Sequence, residues 1–137
     1  MLLKEKNSNS LNLHVVMSKL ILLPTFTDTR GSLSVVERLL PFDIKRVYYM
    51  YQCKSKRGGH RHLKTTQALI AVSGNCSVYT NNGIEKNTYI LNSPDQCLIL
   101  EPEDWHYMDK FSKNCVLLVL ASEYFDKSDY IDKEYEN

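Results

Sequence analysis

The sequence lacks long apolar runs, an excess of charge of either sign and closely spaced cysteines. No run approaches the roughly 20 apolar residues that a membrane-spanning helix needs. The first 17 residues contain no continuous apolar stretch of the kind that a signal peptide carries. A formal net charge of +1 over 137 residues gives no basic field to attract nucleic acid. We therefore expect a protein that binds neither a membrane nor nucleic acid.

Cysteines are present but form no CxxC pair. Cys53, Cys76, Cys97 and Cys115 are widely spaced, and three of the four lie within apolar runs. A free thiol in such a run usually packs as a small hydrophobic side chain. The pattern favours a reduced, cytoplasmic protein over a disulfide-bonded one.

The sequence does contain short β-like runs, one after another, separated by turn residues. They occupy 32–40, 44–53, 66–74, 75–80, 86–92, 96–102 and 114–122. Asn82-Gly83, between two of these runs, is a strong hairpin signal. Because no long helical pattern interrupts the series, we predict an all-β fold, either an antiparallel sandwich or a small barrel. Only the acidic, aromatic tail after Ala121 is ambiguous between a short helix and an ordered loop.

The composition is that of one globular domain, because 43% of the residues are hydrophobic and 24% are charged. The polar segment 1–16 is predicted to be a flexible arm. Residues 17–137 are predicted to form the folded domain.

Histidines provide the first candidates for chemistry. His60 and His62 stand two apart in GGHRH (58–62), and His106 follows a later strand in PEDWH (102–106). Residues two apart in a strand face the same side, so His60 and His62 can share one lumen. Three imidazoles suit zinc or iron, proton transfer near neutral pH, or simple packing. Their spacing alone leaves these three readings open.

Tyrosines and arginines supply further candidates. Tyr48 and Tyr49 are neighbours in one strand, so one of the two must point inward. An inward hydroxyl can stabilise negative charge that develops on an oxygen, although a core-lining aromatic stripe is an alternative. Arg30, Arg46 and Arg57 lie near turns, where a guanidinium can bind phosphate oxygens in a bidentate manner or remain solvated.

The HxH pair, Gly74 and a late histidine after Pro102 together resemble the cupin signature. Metal-binding cupins carry a glutamate where this chain has Gln67. A neutral amide removes a negative charge from the ligand shell of a cation. The substitution therefore favours proton transfer by histidines over a metal site.

A narrower resemblance covers about 27–131. DTRGSL (28–33), KRVYY (45–49), the HxH pair, WHYM (105–108) and VLASEYFDKSDY (119–130) together resemble the sugar-nucleotide 3,4-ketoisomerases. These are enzymes of the WxcM-like branch of the cupins that act on dTDP-4-keto-6-deoxyglucose. The resemblance implies a jelly-roll isomerase without metal or cofactor, acting as a homodimer with an exchanged N-terminal strand. Its dTDP-3-keto-6-deoxyhexose product would lead to 3-amino-3,6-dideoxy sugars of surface glycans.

The resemblance also implies roles for single residues. His60 is expected to be the base and His62 its helper, with Tyr48 and Arg30 lining the same pocket. The remaining candidates for substrate binding are Arg46, Arg57, Gln67, Tyr49 and His106. Three alternatives stay open at this point: a dTDP-sugar 3,5-epimerase, a metal-dependent cupin oxygenase or isomerase, and a sugar-nucleotide sensor or partner protein without catalytic activity.

Overall fold

The computed structural model describes residues 19–137, and the all-β prediction is confirmed. The described part of the chain contains twelve strands and one 3₁₀ turn, Lys127–Asp129. The strands are β1 (Lys19–Leu22), β2 (Thr25–Asp28), β3 (Gly31–Ser34), β4 (Arg46–Tyr51), β5 (Arg57–His62), β6 (Gln67–Ser73), β7 (Cys76–Asn81), β8 (Lys86–Leu91), β9 (Gln96–Leu100), β10 (Trp105–Asp109), β11 (Val116–Ala121) and β12 (Tyr130–Ile131).

Two antiparallel five-stranded sheets pack face to face. The first has the order β1-β9-β6-β11-β4 and the second β12-β5-β10-β7-β8, while β2 and β3 form a separate hairpin. Leu69, Leu98 and Leu117 from the first sheet meet Val78 and Met108 from the second in one buried core. This arrangement is the sandwich expected of a jelly roll.

A second apolar cluster covers part of the outer face of the first sheet. Irregular chain between β3 and β4 lays Val36, Leu39 and Phe42 against Ile70 and Ile99. Only the beginning of the predicted strand 32–40 is therefore extended, because the remainder serves as a cover over the sheet. The outer face of β4 lies beyond this cover and stays exposed.

The strands and turns of the structure agree with some of the local predictions and differ from others. The hairpin at Asn82-Gly83 is confirmed, since it joins β7 to β8. β10 was not predicted as a separate strand, and His106 lies within it rather than after the end of β9. The ambiguous tail forms the 3₁₀ turn and the short strand β12.

The cysteines, the length of the helices and the N-terminal segment bear on the remaining predictions. All four cysteines are free, and Cys76, Cys97 and Cys115 are buried. No helix within 19–137 is long and apolar enough to cross a membrane. The predicted arm, 1–16, lies outside the described residues.

Candidate active site

The site begins with the register between β5 and β10. His60 on β5 is paired with His106 on β10, so the two imidazoles are cross-strand neighbours. Their ring centroids are 5.0 Å apart, and those of His60 and His62 are 5.1 Å apart. The alternation along β5 thus brings together the histidine pair predicted from the sequence, and β10 adds the third member.

Burial keeps these histidines neutral near pH 7. Burial first, and repulsion from a charged His62 second, lower the pKa of His60 to about 4. Burial also lowers the pKa of His106 to about 3, against the hydrogen bond between its Nδ1 and the Asp104 carbonyl at 2.9 Å. A neutral imidazole has an open nitrogen and can accept a proton.

Tyr48 faces this cluster from the opposite sheet. The amide Nε2 of buried Gln67 donates to the Tyr48 hydroxyl oxygen at 3.0 Å. An amide nitrogen can only donate, so the Tyr48 oxygen accepts in this contact. The phenol proton is therefore not used by Gln67 and can be donated elsewhere. Burial raises the pKa of Tyr48, so the phenol remains protonated at neutral pH. Gln67 therefore contacts the candidate phenol, and its predicted contact with substrate stays a prediction.

A pocket of about 270 Å³ opens between the two sheets at this point. Its basic residues are Arg46, whose guanidinium lies 4.2 Å from the centroid of the Tyr48 ring, and Arg57, which is exposed at the rim. The other lining residues are Tyr48, Met50, Gly58, His60, His106, Met108 and Tyr130. Neutral proton acceptors, a phenol donor and two cations thus share one cavity.

Two predicted residues lie elsewhere in the described chain. Tyr49 points away from the pocket, is 60% exposed and packs beside Tyr51 on the outer face of β4. Arg30 lies at the turn of the β2–β3 hairpin, where it pairs with Asp28 at 2.6 Å and its side chain is 88% exposed. Neither of the two lines the pocket of its own chain.

Two site residues were assigned no role from the sequence. The ring of Tyr130 lies 4.5 Å from that of His60 and 4.6 Å from that of His62, measured between centroids. The buried carboxylate of Asp129 accepts from His62 Nδ1 at 2.9 Å. Both belong to the tail, and β12 brings them to β5 by pairing Tyr130 with His62.

Within 19–137, no cluster of histidine, cysteine, aspartate and glutamate side chains has the arrangement needed to hold a metal ion. Gln67 directs its amide nitrogen to Tyr48. His62 and His106 use their Nδ1 atoms in hydrogen bonds within the chain.

Comparison with known proteins places the chain in a family. The family described as FdtA: WxcM-like, C-terminal matches residues 16–137. The chain belongs to this family. A curated member, the TDP-4-oxo-6-deoxy-alpha-D-glucose-3,4-oxoisomerase of Aneurinibacillus thermoaerophilus, is 41% identical over 124 residues, which is 88% of each chain. The resemblance to WxcM-like ketoisomerases is thus confirmed.

Solved structures of 3,4-ketoisomerases share the fold. The WlaRB TDP-quinovose 3,4-ketoisomerase of Campylobacter jejuni superposes with a TM-score of 0.81 at 38% identity, covering 85% of this chain and 92% of that one. A mutant of the QdtA 3,4-ketoisomerase of Thermoanaerobacterium thermosaccharolyticum, solved with TDP-4-keto-6-deoxyglucose, also has a TM-score of 0.81 at 38% identity. That match covers 85% of this chain and 87% of the other.

An epimerase shares the fold but little of the sequence. The RmlC epimerase of Mycobacterium tuberculosis is 15% identical with a TM-score of 0.71, and the match covers 84% of this chain and 68% of that one. At such identity the likeness concerns architecture alone. Membership of the WxcM-like family therefore depends on the other matches.

Proposed function

We propose that this WxcM-like chain is a sugar-nucleotide 3,4-ketoisomerase that converts TDP-4-keto-6-deoxy-D-glucose to a TDP-3-keto-6-deoxyhexose. The observation that carries the proposal is the meeting of His60 and Tyr48 in one cationic pocket. A neutral imidazole and a protonated phenol are the two groups that proton transfer beside a ketone requires. Relatives 38–41% identical to this chain are named as enzymes of this class.

The reaction moves two protons and changes no oxidation state overall. The C4 ketone acidifies the C3 proton, and His60 removes it to form an enediolate. Tyr48 donates a hydrogen bond to the oxygen on which negative charge develops. The O3 hydroxyl proton then passes to O4 with the help of His62, and His60 returns its proton to C4. The carbon–oxygen double bond now lies at C3, and every proton is accounted for.

Arg46 and Arg57 are proposed to bind the diphosphate. Both line the pocket that contains His60, and a guanidinium matches phosphate oxygens in geometry and charge. Contacts to the nucleotide lie away from the reacting carbons. Their binding energy positions the sugar ring for proton transfer.

The active form is proposed to be a homodimer with exchanged N-terminal strands. All eight strand residues of the β2–β3 hairpin are exposed, including Phe26 at 65% and Leu33 at 60%. A two-stranded hairpin is marginally stable alone in water, so a second copy that covers it explains its sequence. The hairpin would carry Arg30 into the partner's pocket, which accounts for its absence from the pocket of its own chain.

The reaction is proposed to need neither metal nor cofactor, because the keto group itself acidifies the proton that must leave. Gln67 supports this reading, since a neutral amide directed at Tyr48 occupies the position of a cupin metal-binding carboxylate. The proposed setting is the cytoplasm, in keeping with four free cysteines. A 3-keto product suits amination at C3, the step toward 3-amino-3,6-dideoxy sugars.

The test is incubation with TDP-4-keto-6-deoxyglucose in deuterated water containing a chelator, followed by NMR of the product. We expect a ketone at C3, no loss of turnover on chelation, and deuterium at C4 in those turnovers in which the proton held by His60 exchanges with solvent before it is delivered. The His60→Asn variant should bind TDP and fail to convert the sugar.

Three results would contradict the proposal, each in favour of another function. A ketone that stays at C4 with inversion at C3 and C5 identifies a 3,5-epimerase. Stoichiometric metal with activity lost to the chelator identifies a metal-dependent cupin. Binding of the nucleotide sugar without any conversion identifies a sensor or partner protein.

A further inference from the structure

Behind the histidines lies a buried carboxylate to which the proposed reaction assigns no part. Asp129 is 3% exposed and ends the 3₁₀ turn directly before β12. One of its oxygens, Oδ2, accepts from His62 Nδ1 at 2.9 Å and from the Thr65 hydroxyl at 2.5 Å. The other, Oδ1, accepts from the amides of Leu63 and Lys64 at 3.1 and 2.8 Å. Four donors thus converge on one carboxylate.

This arrangement keeps Asp129 ionised. Burial raises the pKa of the Asp129 carboxyl, but the hydrogen bonds from Thr65, the Lys64 amide and His62 outweigh it, and the pKa is lowered overall. An ionised carboxylate only accepts hydrogen bonds. The Nδ1 atom of His62 must therefore carry the proton in this contact.

The other nitrogen of His62 is left as an acceptor. His62 Nε2 is buried, and among the described residues it has no hydrogen-bond partner. The two nitrogens lie on opposite sides of an imidazole, so Nε2 points away from Asp129. The ring itself contacts His60 and Tyr130, both of which line the pocket.

We infer that Asp129 is a positioning residue for the isomerisation. Its carboxylate fixes the proton of His62 on Nδ1, so that Nε2 accepts the O3 hydroxyl proton and delivers it to O4. While His62 holds this second proton, the imidazolium lies against the Asp129 carboxylate, which stabilises the positive charge. Nε2 loses the proton again when O4 receives it, so that O3 has lost one proton, O4 has gained one and His62 is back in its starting state. This role rests on the proposed ketoisomerase function.

Neither of the other two histidines has such a partner. The Nδ1 of His106 contacts a backbone carbonyl, and His60 has the charge of Asp132 nearby but, among the described residues, no hydrogen bond to a carboxylate. Burial lowers the pKa of His62, and the hydrogen bond and charge of Asp129 oppose that shift without cancelling it. His62 is thus the member of the cluster best equipped to hold a transient positive charge.

The tautomer of His62 can be measured without substrate. The side chain introduced by Asp129→Asn has one acceptor oxygen in place of two. When that oxygen accepts from the Leu63 and Lys64 amides as Oδ1 does now, the new NH₂ group faces His62 Nδ1 and donates to it. We expect ¹⁵N NMR of histidine-labelled full-length protein to show His62 protonated on Nδ1 in the wild type and on Nε2 in the variant. The His62→Asn variant assigns the signal among the four histidines of the chain.

Asp126→Asn is the matched control, because it makes the same change of charge within the same turn. Asp126 is exposed, and among residues 19–137 its side chain accepts only from Ser128. The tautomer of His62 and the turnover should stay as in the wild type. If Asp129→Asn does not fold, Thr65→Val replaces it. That variant removes a competing donor from Oδ2, so His62 should keep its tautomer and bind its second proton more tightly.

Kinetics in deuterated water separate this role from a structural one. For folded Asp129→Asn we expect kcat to fall about 10²-fold with KM within about twofold. Deuterium uptake at C3 of the substrate should persist, because His60 still removes that proton. A folded variant with unchanged tautomer and a kcat within about twofold of wild type would overturn the inference. Wild-type protein that shows the expected tautomer but makes no 3-keto sugar would instead contradict the proposed function.

Discussion

At the scale of single residues, the environment gives three identical side chains different chemistry. His60 lies at the pocket wall, His62 against a carboxylate and His106 against a backbone carbonyl. Their ordinary pKa of 6.5 is lowered in each case, to about 4 for His60 and to about 3 for His106. Sequence identifies the imidazoles, while burial and hydrogen-bond partners decide how each one handles a proton.

Replacing Tyr48 with phenylalanine should remove the donor for the developing oxyanion. We expect kcat to fall about 10²-fold while the affinity for TDP stays near that of the wild type. Gln67 Nε2 would lose its buried acceptor, at a cost to the free energy of unfolding on the order of 1–3 kcal/mol. Steady-state kinetics and urea unfolding measure the two effects.

Tyr51→Phe provides the control, since Tyr51 lies in the same strand on its exposed face. It should change neither kcat nor the free energy of unfolding. Equal activity of the Tyr48→Phe variant and this control would argue against Tyr48 as a hydrogen-bond donor in the reaction.

The lowered pKa values also predict how stability depends on pH. Because His60 and His106 bind protons more weakly in the folded protein, the unfolded chain takes up more protons between pH 6.5 and about 4. The free energy of unfolding should therefore be highest above pH 6.5. It should fall as the pH drops through this range, by at most about 1.4 kcal/mol per pH unit for each histidine. Urea unfolding between about pH 7.5 and 4.5 tests this.

His106→Gln should be less stable at neutral pH but show a shallower slope, because one of the titrating groups is gone. A wild-type stability that stays constant or rises on acidification within this range would contradict the lowered pKa values. The ordinary pKa of an aspartate carboxyl is 3.8, and that of Asp129 is lowered. The contribution of Asp129 to the free energy of unfolding is therefore lost only at more acidic pH.

At the scale of elements, the side-chain orientations that follow from alternation along a strand were predicted from the sequence. Contacts that depend on pairing between distant strands were not. The opposite orientations of Tyr48 and Tyr49 and the common orientation of His60 and His62 follow from a period of two residues. The contact between Asp129 and His62 joins residues 67 positions apart and depends on how β12 docks. No local pattern in the sequence encodes that docking.

The close approach of β5 to β10 depends on Gly58. Its φ is +92°, and a Cβ there would lie 3.1 Å from the His106 carbonyl oxygen and 3.1 Å from the Tyr107 Cα. The ladder has a register shift at this point. Gly58 thus allows the backbone to pass next to the paired histidines.

Gly58→Ala should therefore force the two strands apart and misplace His60 relative to His106. We expect kcat to fall about tenfold or more, together with a loss of stability. Gly59→Ala is the matched control: its φ is +86°, but a Cβ there would meet nothing within 4 Å. It should lose stability through backbone strain and keep its turnover. Similar kcat values for the two variants would show that the spacing of β5 and β10 does not limit catalysis.

At the scale of the whole molecule, the pocket of one chain does not contain all of the predicted site. Arg30 lies on the β2–β3 hairpin and pairs with Asp28, away from the pocket that holds His60. The hairpin is exposed along both strands. Sequence identified Arg30 through the family resemblance. No pattern within one chain, however, shows whether an extended hairpin contributes to the pocket of its own chain or to that of a second copy.

Mixing two inactive variants tests whether the site is shared between copies. In a dimer of one Arg30→Ala chain and one His60→Asn chain, the first chain keeps His60 and would receive an intact Arg30 from its partner. The second site would have both defects. Random exchange of subunits should therefore restore roughly a quarter of the wild-type activity, since half of the dimers are mixed and each has one intact site. Activity no greater than that of the two variants measured separately, under conditions where mass spectrometry shows subunit exchange, would place Arg30 outside the partner's active site.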